Sequence, residues 1–245
     1  MSTQDLSGRR FFCSWSGGKD AYLALARAVA AGGRPGALVC TLNEDGEASR
    51  GHGLPLALVQ AQAASLGIPL ITRATSWDEY EATLVSVLHE LRAQGIEAGV
   101  FGDIDLQAHR DWVEGVCEVV GMSCHLPLWQ EPRRRLIDEL LANGVQATVV
   151  AVDAAKLDAG FLGRELSPTL VADLEAAGAD ACGEEGEYHT MVTAAPLFSN
   201  PVQLSWVGTE ERDGHWVLRY AASAPSSQHL VPEEEATSRR EQVST

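Results

Sequence analysis

Short apolar runs alternate along this chain with longer stretches whose apolar residues recur every three or four positions. The runs RFFCSW (10–15), PGALVCTLN (35–43), IPLITRA (68–74) and EAGVFGDI (97–104) read as buried strands, as do the start of SCHLPLW (123–129) and QATVVAVDA (146–154). Helices are expected between them. DAYLALARAVAAG (20–32) stops at Gly32-Gly33, and LPLALVQAQAASLG (54–67) stops at Gly67. SWDEYEATLVSVLHELRAQG (76–95) opens on Ser76 with Glu79 three residues on, a capping-box signature. DLQAHRDWVEGVCEVVG (105–121) and RRRLIDELLANG (133–144) complete the set, and EDGEASRGHG (44–53) is a glycine-rich loop. This alternation predicts an α/β fold: a parallel sheet with helices on both faces and right-handed crossovers. Ligands bind such sheets beyond the carboxyl ends of the strands, so the loops after Trp15, Asn43, Arg73 and Gly102 are expected to converge on one mouth.

After Asp153 the rhythm weakens. LSPTLVADLEAAG (166–178) reads as a helix with Ser167 as N-cap and Pro168 at its first position. ADACGEEGEYHT (179–190) reads as a glycine- and acid-rich loop, and residues 201–222 as a β-hairpin turning near Asp213-Gly214. Residues 223–245 hold too few apolar side chains to order themselves and are expected to form a flexible tail. The predicted organisation is a nucleotide-type domain over 8–128, a smaller α+β domain over 129–222 and the tail over 223–245.

Composition narrows the class. The 245 residues are 45% hydrophobic and 21% charged, as in ordinary soluble globular proteins. No apolar run approaches the roughly 20 residues that cross a bilayer. The opening MSTQDLSGRR lacks the apolar segment of a signal peptide, so a cytoplasmic protein without membrane partners is expected. Five scattered cysteines without a CxxC argue against a disulfide framework or structural zinc and read as buried thiols. The net charge of -16 repels phosphate backbones and argues against nucleic acid as a partner.

The stretch SWSGGKDA, Ser14 to Ala21, carries the chemistry. A strand followed by SGGKD and a helix is an anion cradle, because glycines let backbone N–H groups close on phosphate oxygens and the helix N-terminus adds its dipole. Lys19 supplies a mobile positive charge, and Asp20 suits magnesium or its water shell. Neither GxxxxGK[ST] nor GxGxxG fits the spacing. A plain strand-to-helix turn would explain two glycines but not the whole set. The candidate nucleotide-binding residues are Ser14, Ser16, Gly17, Gly18, Lys19 and Asp20, with Asn43, Gly102 and Asp103 at the mouths of the second and fourth loops; Asp20 is also the candidate metal ligand.

SWSGGKDA resembles the SGGKD[ST] pyrophosphate loop of the N-type ATP pyrophosphatases, with Ala21 in place of the usual hydroxyl residue. GDIDLQAHRDWVEGVCEVVGMSCHLPLW (102–129), VVAVDAAKLDAGFLGREL (149–166) and CGEEGEYHTMVTAAPLF (182–198) are similar to later blocks of the diphthine–ammonia ligase family, in the family's order. The resemblance implies a Rossmann-like, HUP-type ATP-binding domain and a smaller substrate domain. It also implies ATP-dependent amidation of a carboxylate with ammonia, releasing AMP and pyrophosphate, with ATP and magnesium required. The family's usual GEGGEYET block reads GEEGEYHT here, with Glu185 for a glycine and His189 for a glutamate. That form resembles a bacterial branch of unsettled substrate, which leaves the acceptor open between diphthine and a corrinoid-type small molecule. No glutaminase domain is visible, so free ammonia or a separate nitrogen donor is expected.

Further residues are weighed against plain structural roles. Asp103 stands at the ligand edge, where a ribose or metal contact competes with loop solvation. His52, in a glycine-flanked loop, could face nucleotide or acceptor. Arg110 and Glu114 have the spacing of a helical ion pair, while Arg110 could instead reach phosphate. Arg164 could neutralise leaving pyrophosphate through its guanidinium fork, or pair with a nearby acid. Glu184, Glu187, His189 and Thr190 crowd one loop and could hold ammonium or acceptor, with Glu187 or His189 as base on the attacking nitrogen. The expected catalytic set is Lys19, Asp20, Arg164, Glu187 and His189, and the expected substrate set His52, Glu184, Glu187, His189 and Thr190. Trp129, Trp206 and Trp216 read as core or interface and leave room for a homodimer. A non-catalytic nucleotide sensor or assembly module stays open as the other reading. RNA thiolation is disfavoured by the unpaired cysteines and acidic balance.

Overall fold

The computed structural model describes residues 5–220. The reading of 223–245 as a tail lies outside them. Five parallel strands, β1 (Arg10–Ser14), β2 (Arg34–Leu42), β3 (Leu70–Ala74), β4 (Ala98–Val100) and β5 (Ser123–His125), form one sheet in the order β3-β2-β1-β4-β5. Helices α1 (Lys19–Ala30), α2 (Leu56–Leu66), α3 (Tyr80–Ala93) and α4 (Gln107–Val119) connect them. This is the expected Rossmann-like arrangement. The order reverses beside β1, so the crevice between the ends of β1 and β4 is the natural ligand position.

Strand alternation distributes the core. Phe11 and Cys13 point to one face of the sheet, where they join Leu25, Val59 and Ala63. Phe12 points to the other, packing with Val39, Leu88, Leu91 and Val116 and meeting Phe101 edge-on with ring centroids 5.6 Å apart. After α5 (Arg133–Ala142) a second sheet forms, with order β7-β6-β9-β8 and every pairing antiparallel. Its strands are β6 (Gln146–Asp153), β7 (Tyr188–Ala194), β8 (Trp206–Arg212) and β9 (His215–Tyr220), with α6 (Pro168–Ala176) before β7. The first core cluster continues through Leu136 and Ile137 to Val150, Met191 and Val192, so one apolar interior joins both sheets.

Capping at α6 is as expected: Ser167 Oγ accepts from Leu170 N at 3.1 Å, with Pro168 opening the helix. The hairpin also turns at Asp213-Gly214, both with positive φ (51° and 77°), as a primed two-residue turn demands. Three expectations shift. Ser76 Oγ does accept from Glu79 N at 3.2 Å, but a turn intervenes and α3 starts only at Tyr80. β4 stops at Val100 rather than 104, because the chain must bend to lay Gly102 against α1; a Cβ there would sit 2.9 Å from the Asp20 carbonyl carbon. The loop of 179–190 ends early, so Tyr188, His189 and Thr190 lie on β7 and are held by its ladder with β6. All five cysteines are free and only Cys124 is not fully buried. No helix among the described residues is long and apolar enough to cross a membrane.

Candidate active site

β1 ends in a tightly built loop. Gly17 has φ 82°, a left-handed conformation, and a Cβ there would meet Gln62 Oε1 at 2.6 Å. At Gly18 a Cβ would meet His52 Cε1 at 2.4 Å, so the second glycine is needed for space. The second sheet braces this loop from beneath. Val192 N donates to Gly17 O at 2.9 Å, and Lys19 N donates to Thr190 Oγ1 at 3.2 Å. Gln62, fully buried on α2, donates to Gly17 O at 2.9 Å and to Val192 O at 2.8 Å, and accepts from Trp15 Nε1 at 3.1 Å.

Lys19 is not the mobile charge expected of it. Its side chain is 3% exposed and its ammonium donates to Asp20 Oδ2 at 2.8 Å and to the Cys182 carbonyl, above the Tyr188 ring. Burial by itself would lower the Lys19 pKa, but the charges of Asp20, Tyr188 and Cys182 and the Asp20 hydrogen bond together hold it above its ordinary value. The ammonium is therefore a fixed cation at the floor of a cavity of about 410 Å³, whose lining includes Asp20, His52, Gly102, Asp103, Glu184 and His189.

That cavity is rich in titratable groups. Burial, then the Asp20 charge, pushes Glu184 up to about 8, with Lys19 and Arg133 pulling the other way. Burial raises Asp103 too, opposed by His109, whose Nδ1 lies 3.3 Å from the carboxylate. His52 stacks on His189 with centroids 4.5 Å apart, and His189 on His215 at 6.5 Å. Burial lowers His52 to about 4, opposed by its bond to Thr190 O and aided by Lys19. Burial, then His52, Lys19 and His215, lowers His189 to about 3. Both imidazoles are neutral at pH 7. His52 Nδ1, 3.1 Å from the Thr190 carbonyl, must carry the proton, which leaves Nε2 as an acceptor.

These shifts fix the sign of a pH effect. Glu184 has a folded pKa of about 8 against 4.5, so the folded state binds more protons across that window and stability falls as pH rises through it. The histidines contribute stability that is present above their unfolded value of 6.5 and lost as pH falls toward about 4 and 3. Glu184→Gln is expected to remove the alkaline fall, so its thermal midpoint should gain on wild type steadily between pH 5 and pH 8. A pH-independent difference would contradict the assignment.

A second cavity, about 690 Å³, opens beside the first and shares Asp103 and His109 with it. Its wall includes Ser14 and Ser16 after β1, Ser49 and Gly51 after β2, Trp77 and Asp78 after β3, and Asp103 after β4. All four expected loops thus converge. Tyr80 lies between Trp77 and Trp112 with centroid spacings of 5.6 and 5.5 Å, giving this cavity an aromatic rim.

Several candidates stand elsewhere. Arg164 lines neither cavity: its guanidinium pairs with Asp173 at 2.5 Å over the Phe161 ring, because its backbone bridges to Val149 early in β6. Glu187 is buried with its oxygens turned to the amides of Asp180 (3.3 Å) and Glu185 (3.0 Å), so it ties its own loop together rather than facing the cavity. Asn43 also lines neither cavity; its carbonyl accepts from Gly46 in a turn. Arg110 pairs with Glu114 at 2.8 Å and covers the Trp129 ring. Residues the motifs did not suggest are Gln62, Tyr188, Asp180 and Arg133. Gln62 alone left a trace, as a polar residue on the same buried stripe as Val59 and Ala63.

The donor set fits a magnesium ion. Asp20 Oδ1 is buried with no hydrogen-bond partner, and Asp103 and Glu184 line the same cavity. Among the described residues no three His, Cys, Asp or Glu side chains form a ready-made metal cage. Magnesium needs none, since it is ordinarily held by one or two carboxylates together with substrate phosphates and water.

Comparison with known proteins gives a consistent answer. The family model for the diphthamide synthase N-terminal domain matches residues 9–124, and that for the diphthamide synthase C-terminal domain matches residues 133–222. The chain is 29% identical over 212 residues to a diphthine–ammonia ligase of Schizosaccharomyces pombe, covering 78% of this chain and 35% of that protein. It is 27% identical over 216 residues to the Rattus norvegicus enzyme of the same name, covering 76% and 79%. The Bos taurus counterpart is 32% identical over 129 residues, 51% of this chain and 47% of that one. This chain therefore spans about a third of the yeast relative and about half of the bovine one. A solved chain titled a predicted subunit of tRNA methyltransferase from Methanocaldococcus jannaschii DSM aligns at a TM-score of 0.40 and 14% identity, covering 77% of this chain and 98% of that one, a likeness too slight to carry weight.

Proposed function

The chain belongs to the diphthine–ammonia ligase family, and from that membership we propose that it is an ATP-dependent, amide-forming ligase acting on a carboxylate. The observation that carries this reading is a fixed Lys19 ammonium, bound to Asp20 Oδ2, beside the unpartnered Asp20 Oδ1 at the mouth of β1, between a titratable cavity and an aromatic one. The nucleoside of ATP would occupy the aromatic cavity, and its phosphates would pass Ser14 and Ser16 to the 16–20 loop. Asp20, with Asp103 beside it, would hold magnesium, which supplies charge neutralisation at the phosphates. Lys19 adds its positive charge where negative charge develops on the departing pyrophosphate.

In the first step an acceptor carboxylate oxygen bonds to the α-phosphorus and the bond to the bridging α,β oxygen breaks, so pyrophosphate leaves. In the second, ammonia bonds to the acyl carbon, AMP leaves with the carboxylate oxygen, and one proton is shed. Glu184, pushed up to about 8 by burial in the same cavity, would take that proton when ionised, so the step should speed up as pH rises toward 8. His52 and His189, both neutral, form the acceptor-side wall, and His189 stands where the family usually carries a glutamate. A corrinoid-type carboxylate belongs in the acceptor screen beside diphthine for that reason.

The test is product analysis. With Mg-ATP, ammonium and an acceptor library, AMP and pyrophosphate should appear together and depend on ammonium, and Asp20→Asn should lower the rate about 100-fold or more. ADP and phosphate as products would end this scheme. Mg-ATP binding without turnover for any acceptor would instead favour a nucleotide-binding module.

A further inference from the structure

The two walls of the titratable cavity come from distant parts of the chain. One is the loop after β4, Gly102 to Leu106; the other is the loop before β7, Cys182 to Gly186. A single side chain reaches both. Arg133, the first residue of α5, grips Asp105 with a two-pronged fork, Nε to Oδ2 and Nη2 to Oδ1, each 2.8 Å. Its remaining nitrogen, Nη1, lies 3.1 Å from Asp180 Oδ2. Asp180 caps the second wall from inside, accepting from Cys182 N at 2.6 Å and Glu184 N at 2.7 Å. The Arg133 carbonyl accepts from Cys182 Sγ at 3.2 Å. Cys182 O then receives the Lys19 ammonium. An unbroken series of polar contacts thus runs from the β4 loop through Arg133 and Asp180 to Lys19.

The neighbouring arginines lack this reach. Arg134 pairs with Asp138 and Glu175, and Arg135 with Glu131. The run RRR at 133–135 is therefore an arrangement of separate pairs, and its first member alone faces the site. A guanidinium suits the task because its planar fork can satisfy one carboxylate bidentately while a third nitrogen engages another; an ammonium would not hold both.

We infer that Arg133 is a positioning residue, a clasp that sets the separation of the two cavity walls and holds Cys182 O and Glu184 where Lys19 and the substrates meet them. It touches no reacting atom. The functional half of this inference rests on the nucleotide-binding reading above; the clasp itself does not.

Two measurements on the full chain test it, hydrogen exchange of segment 180–187 and Mg-ATP binding by calorimetry. Arg133→Gln should speed exchange in 180–187 at least tenfold while the buried face of α5 stays protected, and should weaken Mg-ATP binding about tenfold. Arg133→Lys should recover part of both effects, and Arg134→Gln should behave as wild type. Asp105→Asn should give a smaller loosening that adds nothing in the Arg133→Gln background, as expected of two groups acting through one contact. The inference fails if exchange in 180–187 is unchanged, if α5 opens along with it, or if Arg134→Gln has the same effect. Absence of Mg-ATP binding in the wild type would sink the ligase reading, while the exchange comparison would still decide the clasp.

Discussion

Lys19→Met is expected to lower pyrophosphate release, on the ligase reading, by about 100- to 1,000-fold and the unfolding free energy by about 3 kcal/mol. The expected catalytic loss would follow from removing a preorganised cation that needs no reorganisation when charge develops on the proposed leaving group. The stability loss has a separate origin. Methionine keeps most of the length of the side chain, so little packing is given up. What remains is the Asp20 carboxylate without its buried counter-charge and the Cys182 carbonyl without a donor. Removing one member of a buried pair costs about 3–5 kcal/mol, and the lower end applies because Asp20 is itself 22% exposed. Urea denaturation and a coupled pyrophosphate assay measure the two effects. Turnover within tenfold of wild type would show that the ammonium serves the fold alone.

Gln62→Leu makes the complementary case, in which no charge and almost no volume is changed. The expected cost is about 3 kcal/mol of stability together with at least a tenfold loss of Mg-ATP affinity. Gln62 is fully buried and makes three hydrogen bonds, two to carbonyls and one from the Trp15 indole. Gly17 O keeps its bond from Val192 N, so the loop carbonyl is not orphaned. The indole N–H has no substitute in view, and stranding a buried donor costs about 1–3 kcal/mol. The affinity loss arises because Trp15 and Gly17 flank the loop's first turn and lose their common tether. Gln62→Glu should be worse, since a carboxylate would face two carbonyl oxygens. Chemical denaturation and calorimetry on the two variants decide this, and a stability change under about 0.5 kcal/mol for Gln62→Leu would contradict it.

The two predictions mark where sequence reading succeeded and where it stopped. The strand–loop–helix geometry of the 16–20 stretch was legible because its determinants are local: strand end, two glycines, lysine, aspartate and helix start are contiguous. The parallel, helix-covered sheet could be anticipated for the same reason, since the alternation of strand and helix is read locally along the chain. Across the second sheet this locality fails. Glu187 and His189 look alike in sequence, two polar residues in a glycine-bounded stretch. Their fates differ because strand β7 begins between them, turning one carboxylate toward loop amides and the imidazole toward His52. Arg164 follows a plausible motif, yet its bridge to β6 and the neighbouring Asp173 take the guanidinium elsewhere. Arg133 was hidden in a basic run: Arg135 meets Glu131 one helical turn back, whereas Arg133 meets Asp105 and Asp180, both remote in sequence. Contacts separated by dozens of residues leave no periodicity to read.

The bracing of the phosphate loop by β7 also has a consequence in time. During synthesis the SGGKD stretch is made among the first 20 residues, whereas Thr190 and Val192, which hold Lys19 N and Gly17 O, are made after almost four-fifths of the chain. A nascent chain therefore carries the nucleotide motif long before it has the strand that shapes it. The final shape of the 16–20 loop is therefore a late event, coupled to completion of the second sheet.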